Sequence, residues 1–404
     1  MQRRSQPDRQ CLYHPSQEKD ACGVGFVAHL RGDREAALPL ALESLSRLAH
    51  RGAVGAEKQT GDGAGVLTEI PRELLFAEFK AAAAGPAGER LAVGVFFFPQ
   101  DPVAEAQCRS ICERMFHEVG VPFLGWRPVP VDPAALGPSA EKSRPRIVHA
   151  LLARPEHLDE ISFDRKLYLI RKRIERLAAA QGCDLYVASL SCRTIVYKGM
   201  LKAAQLARFY PDLTSPLYRT RFALYHQRYS TNTTPNWKRA QPFRMLAHNG
   251  EINTLQGNVN WMKAREPQLH SELFDGEAPS PVIDESGSDS AMLDNVFELL
   301  TLAGRDPLHA AMMLVPEAWQ GVSEIDPQRR NFYEYHACLI EPWDGPAGRE
   351  HPLDERFGHH PAADETYATG HYEKMSSSSP HERWMWASIV TLSGAKRKIS
   401  SPIR

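Results

Sequence analysis

Short apolar runs alternate along this chain with stretches whose apolar residues recur every three or four positions. Leu91–Phe98 (LAVGVFFF) is a run of strand length with no polar break, the mark of a strand buried on both faces. Arg146–Ala153 reads as a second strand, and shorter strand patterns cover 22–30, 66–70, 184–190, 193–198, 221–229 and 243–247. Helical spacing is clearest over 162–180, where Phe163, Leu167, Ile170, Ile174 and Leu177 fall on one face. Leu38, Leu42, Leu45 and Leu48 mark another helix over 35–49, with Gly52 as its expected C-cap. Helices are also expected at Pro102–Glu118, 201–209, 253–263 and Asp289–Leu302. Many strands interleaved with amphipathic helices, without an internal repeat, predict layered sheets covered by helices.

Composition narrows the function classes. The chain has 404 residues, material for two or three domains or for one large domain with insertions. Its net charge of −1 gives no reason to expect nucleic acid or a membrane surface as a partner. No apolar run is long enough to span a bilayer, and the first 21 residues lack the apolar centre of an export signal. The seven cysteines, at positions 11, 22, 108, 112, 183, 192 and 338, are odd in number and scattered, which points to a reducing cytoplasm. Beyond Gly345 apolar periodicity fades and the segment 346–404 collects five of the sixteen histidines, so a disordered or non-native extension is expected there.

Several residues carry possible chemistry. Cys22 stands at the head of a strand, beside Gly23 and Gly25, which would keep its sulfur uncrowded. A cysteine there is ordinarily a small core residue. It becomes a nucleophile if the leader 1–21 is removed, because the freed α-amine titrates near 7.7–8.0 and can take the thiol proton. An attacked amide carbonyl then needs donors for its oxyanion, and Asn249-Gly250 can supply a side-chain amide and a turn N–H. The same dipeptide is also a favoured turn. Arg228 can grip a carboxylate with its planar fork, or be a surface cation. Asp289 can receive an ammonium group, or cap the helix it opens. The loop Thr60-Gly61-Asp62-Gly63-Ala64-Gly65 resembles a phosphate cradle but lacks the Gly-Lys-Ser/Thr ending and precedes a strand. Cys108 and Cys112 lie four apart on a helix, where core packing outweighs metal binding.

Taken together, CGVGFV after a polar leader, HRGA, TGDGAGVL, HQRYSTNTTPNWKRAQPFRMLAHNGEINTLQGN, SDSAMLDN and FYEYHACLIEPWDGP resemble the class II glutamine amidotransferase region of glutamate synthase large subunits. The resemblance runs from about Cys11 to Gly345 and is weaker between roughly 72 and 183. It implies an α+β fold of the N-terminal-nucleophile hydrolase type, a four-layer αββα sandwich. It also implies a propeptide 1–21, an amidotransferase domain over 22–345, Cys22 as nucleophile, and Asn249 and Gly250 as the oxyanion hole. Arg228 would bind the α-carboxylate of L-glutamine and Asp289 its α-ammonium. His248 and the loop 61–65 fall near the site in the family, with no role assigned.

In the family, further sandwich strands, synthase domains with FMN and an iron–sulfur cluster, and a small electron-donating subunit complete the reaction with 2-oxoglutarate. The chain leaves the family pattern at about Ala347, so C-terminal truncation or a frameshifted tail over 346–404 is expected, and no cofactor is expected in this chain. Two other readings stay open: a glutamine-binding or regulatory module without turnover, and a non-functional truncated product.

Overall fold

The computed structural model describes residues 23–29, 32–78, 90–227, 234–249, 251–317, 319–320 and 325–344, together with the strand backbones Tyr367–Gly370 and Met385–Ser388. Its arrangement is mixed α+β, with two larger antiparallel sheets and helices packed against them.

Strand β3 (Leu91–Phe98) shows how the apolar run is used: all eight residues are buried. Leu91, Val93, Val95 and Phe97 enter one core, and Ala92, Phe96 and Phe98 enter another on the opposite face. β3 pairs with β5 (Arg146–Ala153) and β6 (Tyr186–Ser191), while β4 (Phe123–Pro128) closes the other edge of β5. β4 is missing from the sequence reading because FLGWRP carries glycine and proline and is mostly half-buried, as an edge strand can be. Helices Pro102–Glu118 and Glu160–Ala180 cover the outer face of this sheet through Ile111, Cys112, Phe116, Phe163, Leu167 and Ile170. Asp101 and Asp159 cap them, accepting from Ala104 N at 2.8 Å and Ser162 N at 2.7 Å.

The second sheet contains β1 (Val24–His29), β2 (Ala64–Glu69), β7 (Thr194–Gly199), β8 (Phe222–Gln227) and β10 (Tyr367–Gly370), in the order β10-β1-β8-β2-β7. Val66, Ile195, Tyr197, Ala223 and Tyr225 share a core with β3, β5 and the helix Ala37–Arg47. On the opposite face Val24, Leu67, Val196 and Leu224 meet Ala247 of β9 (Leu246–Asn249). β9 lies in a separate two-stranded sheet with β11 (Met385–Ser388). A third core gathers helices Leu255–Arg265, Asp289–Leu302 and Pro307–Leu314 around Phe243 and Leu246.

Eight residues of the segment 346–404 are strands: β10 pairs with β1 and β11 with β9. Unpaired strand edges offer rows of free N–H and C=O groups, and these segments satisfy them. The rest of 346–404 lies outside the described residues, as does the leader 1–21. Gly52, expected as the C-cap, is the C-cap of a short 3-10 turn (Leu48–Arg51) that continues the helix, in an extended conformation (φ −83°). Its lack of a side chain serves packing, because a Cβ there would stand 1.8 Å from Gln227 Nε2.

Candidate active site

The site begins where β1 and β8 run antiparallel, with Val24 opposite His226. Gln227 N donates to the Gly23 carbonyl at 2.6 Å. A Cβ on Gly23 would lie 2.1 Å from Gln227 O, and one on Gly25 would lie 2.4 Å from Tyr225 Oη. These glycines therefore allow close strand approach, a firmer reason for them than room around a sulfur. Cys22 and Arg228, the chain neighbours of Gly23 and Gln227, lie outside the described residues, and so does Gly250.

Asn249 and Asp289 are both described, and the helix that Asp289 opens is bonded to the chain on both sides of Asn249. Ser288 caps the helix Asp289–Leu302 by accepting from Ala291 N at 3.2 Å, so Asp289 is a first-turn residue and not the cap. Asp289 is free to reach outward instead. Its Oδ2 accepts from Ile252 N at 3.0 Å and its Oδ1 from Ser290 N at 2.7 Å. Further along the helix, Asp294 is fully buried. Its Oδ1 accepts from Met245 N at 2.8 Å and Leu246 N at 3.1 Å, and its Oδ2 from Arg244 N at 3.3 Å. Burial, reinforced by the nearby Glu298, pushes the Asp294 carboxyl up to about 6, against the pull of Arg244 and those N–H groups. Asp294 therefore fastens the start of β9, and Asp289 fastens the turn that follows it.

Between these two anchors the last residues of β9 are held by side chains. His248 N donates to Gln241 Oε1 at 2.8 Å, and Gln241 Nε2 donates back to the His248 carbonyl at 3.0 Å. The His248 ring, 1 % exposed, places Nδ1 2.8 Å from Ser290 Oγ. Burial, helped by the neighbouring His226, pushes the imidazole down to about 3, so it stays neutral at ordinary pH. It acts as a strut and not as a cation. Asn249 is half-buried, and its Oδ1 lies 2.6 Å from His226 Nε2.

Gln241, Ser290, Asp294 and His226 have no place in the sequence reading. One signal was available: Ser290, Asp294 and Glu298 recur every four residues along the helix Asp289–Leu302, and all three are buried. Such a stripe must find hydrogen-bond partners inside the protein. The loop 60–65 shows a different use of glycine. Asp62 Oδ1 accepts from Ala53 N at 3.0 Å, Asp62 N donates to the Ala53 carbonyl at 3.2 Å, and a Cβ on Gly61 would lie 2.2 Å from the Leu201 backbone. The glycines serve close packing and the loop pins the segment 50–53; nothing in it forms a phosphate cradle. Cys108 and Cys112 are fully buried among Ile111, Phe116 and Ile170, and burial pushes the Cys108 thiol up to about 12. Both are core residues.

Comparisons with known proteins place the chain in a family. The family model of class-II glutamine amidotransferases matches residues 22–350. The glutamate synthase (NADPH) large chain of Bacillus subtilis is 45% identical over 344 residues, covering 84% of this chain and 23% of that protein. The ferredoxin-dependent glutamate synthase 2 of Synechocystis is 47% identical over 341 residues, covering 82% and 22% respectively. The NADH glutamate synthase of Saccharomyces cerevisiae is 44% identical over 357 residues, covering 84% and 16%. The chain thus spans about a fifth of the length of the curated relatives it matches. With residues 22–350 matched as a whole, this chain belongs to the class-II glutamine amidotransferases.

Proposed function

We propose that the chain hydrolyses L-glutamine to glutamate and ammonia with Cys22 as nucleophile. The observation that most supports this is Asp289 fastened to Ile252, three residues beyond Asn249, inside the matched segment. Loss of residues 1–21 frees the Cys22 α-amine, which takes the thiol proton as the sulfur attacks the glutamine carboxamide carbon. Asn249 Nδ2–H and the Gly250 N–H stabilise the oxyanion; one such donor typically contributes about 3–4 kcal/mol to lowering the barrier. The tetrahedral species collapses, its C–N bond breaks, and the proton held by the α-amine leaves with ammonia. The γ-glutamyl thioester remains. Water, deprotonated by the same amine, attacks the thioester, and glutamate departs as the thiol is restored. Arg228 binds the substrate α-carboxylate. Asp289 receives the α-ammonium on lone pairs left free by Ile252 and Ser290, since a carboxylate offers about four acceptor sites. The four-layer N-terminal-nucleophile sandwich is the fold we assign to this chemistry.

In a longer protein of the kind matched, the ammonia would pass to a synthase region that converts 2-oxoglutarate to glutamate. FMN, an iron–sulfur cluster and an electron-donating subunit belong to that region. Among the described residues no group of three or more His, Cys, Asp or Glu side chains converges as metal ligands. No described helix is long and apolar enough to cross a membrane. We place the activity in the cytoplasm, which suits the described cysteines 108, 112, 183, 192 and 338, all free thiols. The test is release of ammonia and glutamate from L-glutamine. Equimolar release by the full chain, reduced about 10²–10³-fold in Asn249→Ala, is expected. No release by the unsubstituted chain overturns the proposal.

A further inference from the structure

We propose that His226 is a positioning residue for the oxyanion hole: its Nε2–H holds the Asn249 side-chain amide in the one orientation that presents Nδ2–H to the substrate. The inference rests on the reading of Asn249 as an oxyanion donor. His226 is fully buried on β8, in the middle of the larger sheet, while Asn249 ends β9 in a different sheet. No strand pairing enforces their contact, so the side chains themselves make it, with Nε2 and Oδ1 2.6 Å apart. With Oδ1 facing the ring the carboxamide accepts, which in this proposal assigns the proton to His226 Nε2 as the donor.

The need for such a group follows from the shape of an amide. Its oxygen and nitrogen ends are nearly isosteric, and a half-turn about the last bond of Asn exchanges them without changing the packing. One orientation offers Nδ2–H to a developing negative charge; the other offers an oxygen lone pair, which repels it. A fixed donor beside Oδ1 stabilises the first orientation and leaves two N–H donors facing each other, with no acceptor between them, in the second. Oxyanion donors are effective because they are oriented before the reaction begins. β8 carries this orienting group, and the helix Asp289–Leu302 holds the backbone on either side of Asn249, at Met245 and Leu246 before it and at Ile252 after it. The Asn249 side chain and the segments flanking it are thus held from two separate elements.

The test is a double-mutant cycle on the full chain with glutamine hydrolysis as readout. His226→Leu is expected to lower kcat at least tenfold while KM for glutamine stays within about twofold, because the amide acts on the transition state. His226→Gln, whose side-chain N–H can reach the same oxygen, is expected to retain most of kcat. His226→Asn, one methylene shorter, is expected to behave like His226→Leu and replaces it should the leucine variant fail to fold. In an Asn249→Ala background the His226 substitution should cause no further loss. Equal losses in both backgrounds, or a His226→Leu enzyme of unchanged kcat, overturn the positioning role. Undiminished hydrolysis by Asn249→Ala alone would instead overturn the oxyanion reading beneath it.

Discussion

Asp289 Oδ2 accepts a hydrogen bond from Ile252 N at 3.0 Å, joining the first turn of one helix to the turn that follows Asn249. In the proposed reaction the same carboxylate receives the substrate ammonium, which would tie the shape of this segment to the affinity for glutamine. Asp289→Asn keeps an acceptor for Ile252 but removes the charge. A hydrogen bond to a charged group contributes about 1.5–3 kcal/mol, so KM should rise roughly 10- to 100-fold while kcat changes little. Steady-state kinetics with glutamine decide it; an unchanged KM would remove Asp289 from the ammonium site.

Asp294 makes a separate, structural prediction. Its carboxylate accepts from three backbone N–H groups, of Arg244, Met245 and Leu246. Asp294→Ala leaves buried donors unsatisfied at about 1–3 kcal/mol each, so a loss of roughly 3 kcal/mol or more is expected. Urea unfolding of this variant measures it. A loss below about 1 kcal/mol would mean the helix does not hold β9 in this way.

The Asp294 carboxyl also carries a pH signature. Its folded value of about 6 lies above the reference 3.8, so the folded state binds the proton more tightly. The stabilisation is complete below pH 3.8 and is lost as pH rises through 6. Asp294→Asn cannot titrate at this position. The stability of the unsubstituted chain relative to this variant should fall between pH 4 and 7; a flat difference curve contradicts the assignment.

Histidines 149 and 248 act in the opposite sense. Both are buried and pushed down to about 3 from 6.5, by burial first in each case, with Arg127 adding to His149 and His226 to His248. Stability from keeping them neutral is present above pH 6.5 and declines as pH falls toward 3. His248→Asn, which keeps a polar atom near the Nδ1 position, should show a shallower acid decline than the unsubstituted chain. Chemical denaturation at steps from pH 7 to 4 checks this, and identical slopes would contradict it.

The sequence shows most of the fold wherever burial is strongest. Leu91–Phe98, Pro102–Glu118, Arg146–Ala153 and Asp289–Leu302 end in the structure where their patterns end. Elements with weak patterns escaped: the edge strand Phe123–Pro128, the helix Pro327–Ala337 with few apolar residues, and the strands Tyr367–Gly370 and Met385–Ser388. The latter two gain order by pairing with β1 and β9, which local sequence does not encode. In the site, Asn249 and Asp289 are visible as a turn dipeptide and a helix start. Their supports are not: Ser290, Asp294 and His226 act through partners distant in the chain, and Gln241 through a loop that brings it back beside His248.

The claim on which the account rests is that Cys22 is the nucleophile, and the most direct test is ammonia release from L-glutamine by Cys22→Ser. A serine hydroxyl is far less ionised at neutral pH than a thiol, so the account expects hydrolysis to fall by orders of magnitude. Release of ammonia at the rate of the unsubstituted chain would contradict it.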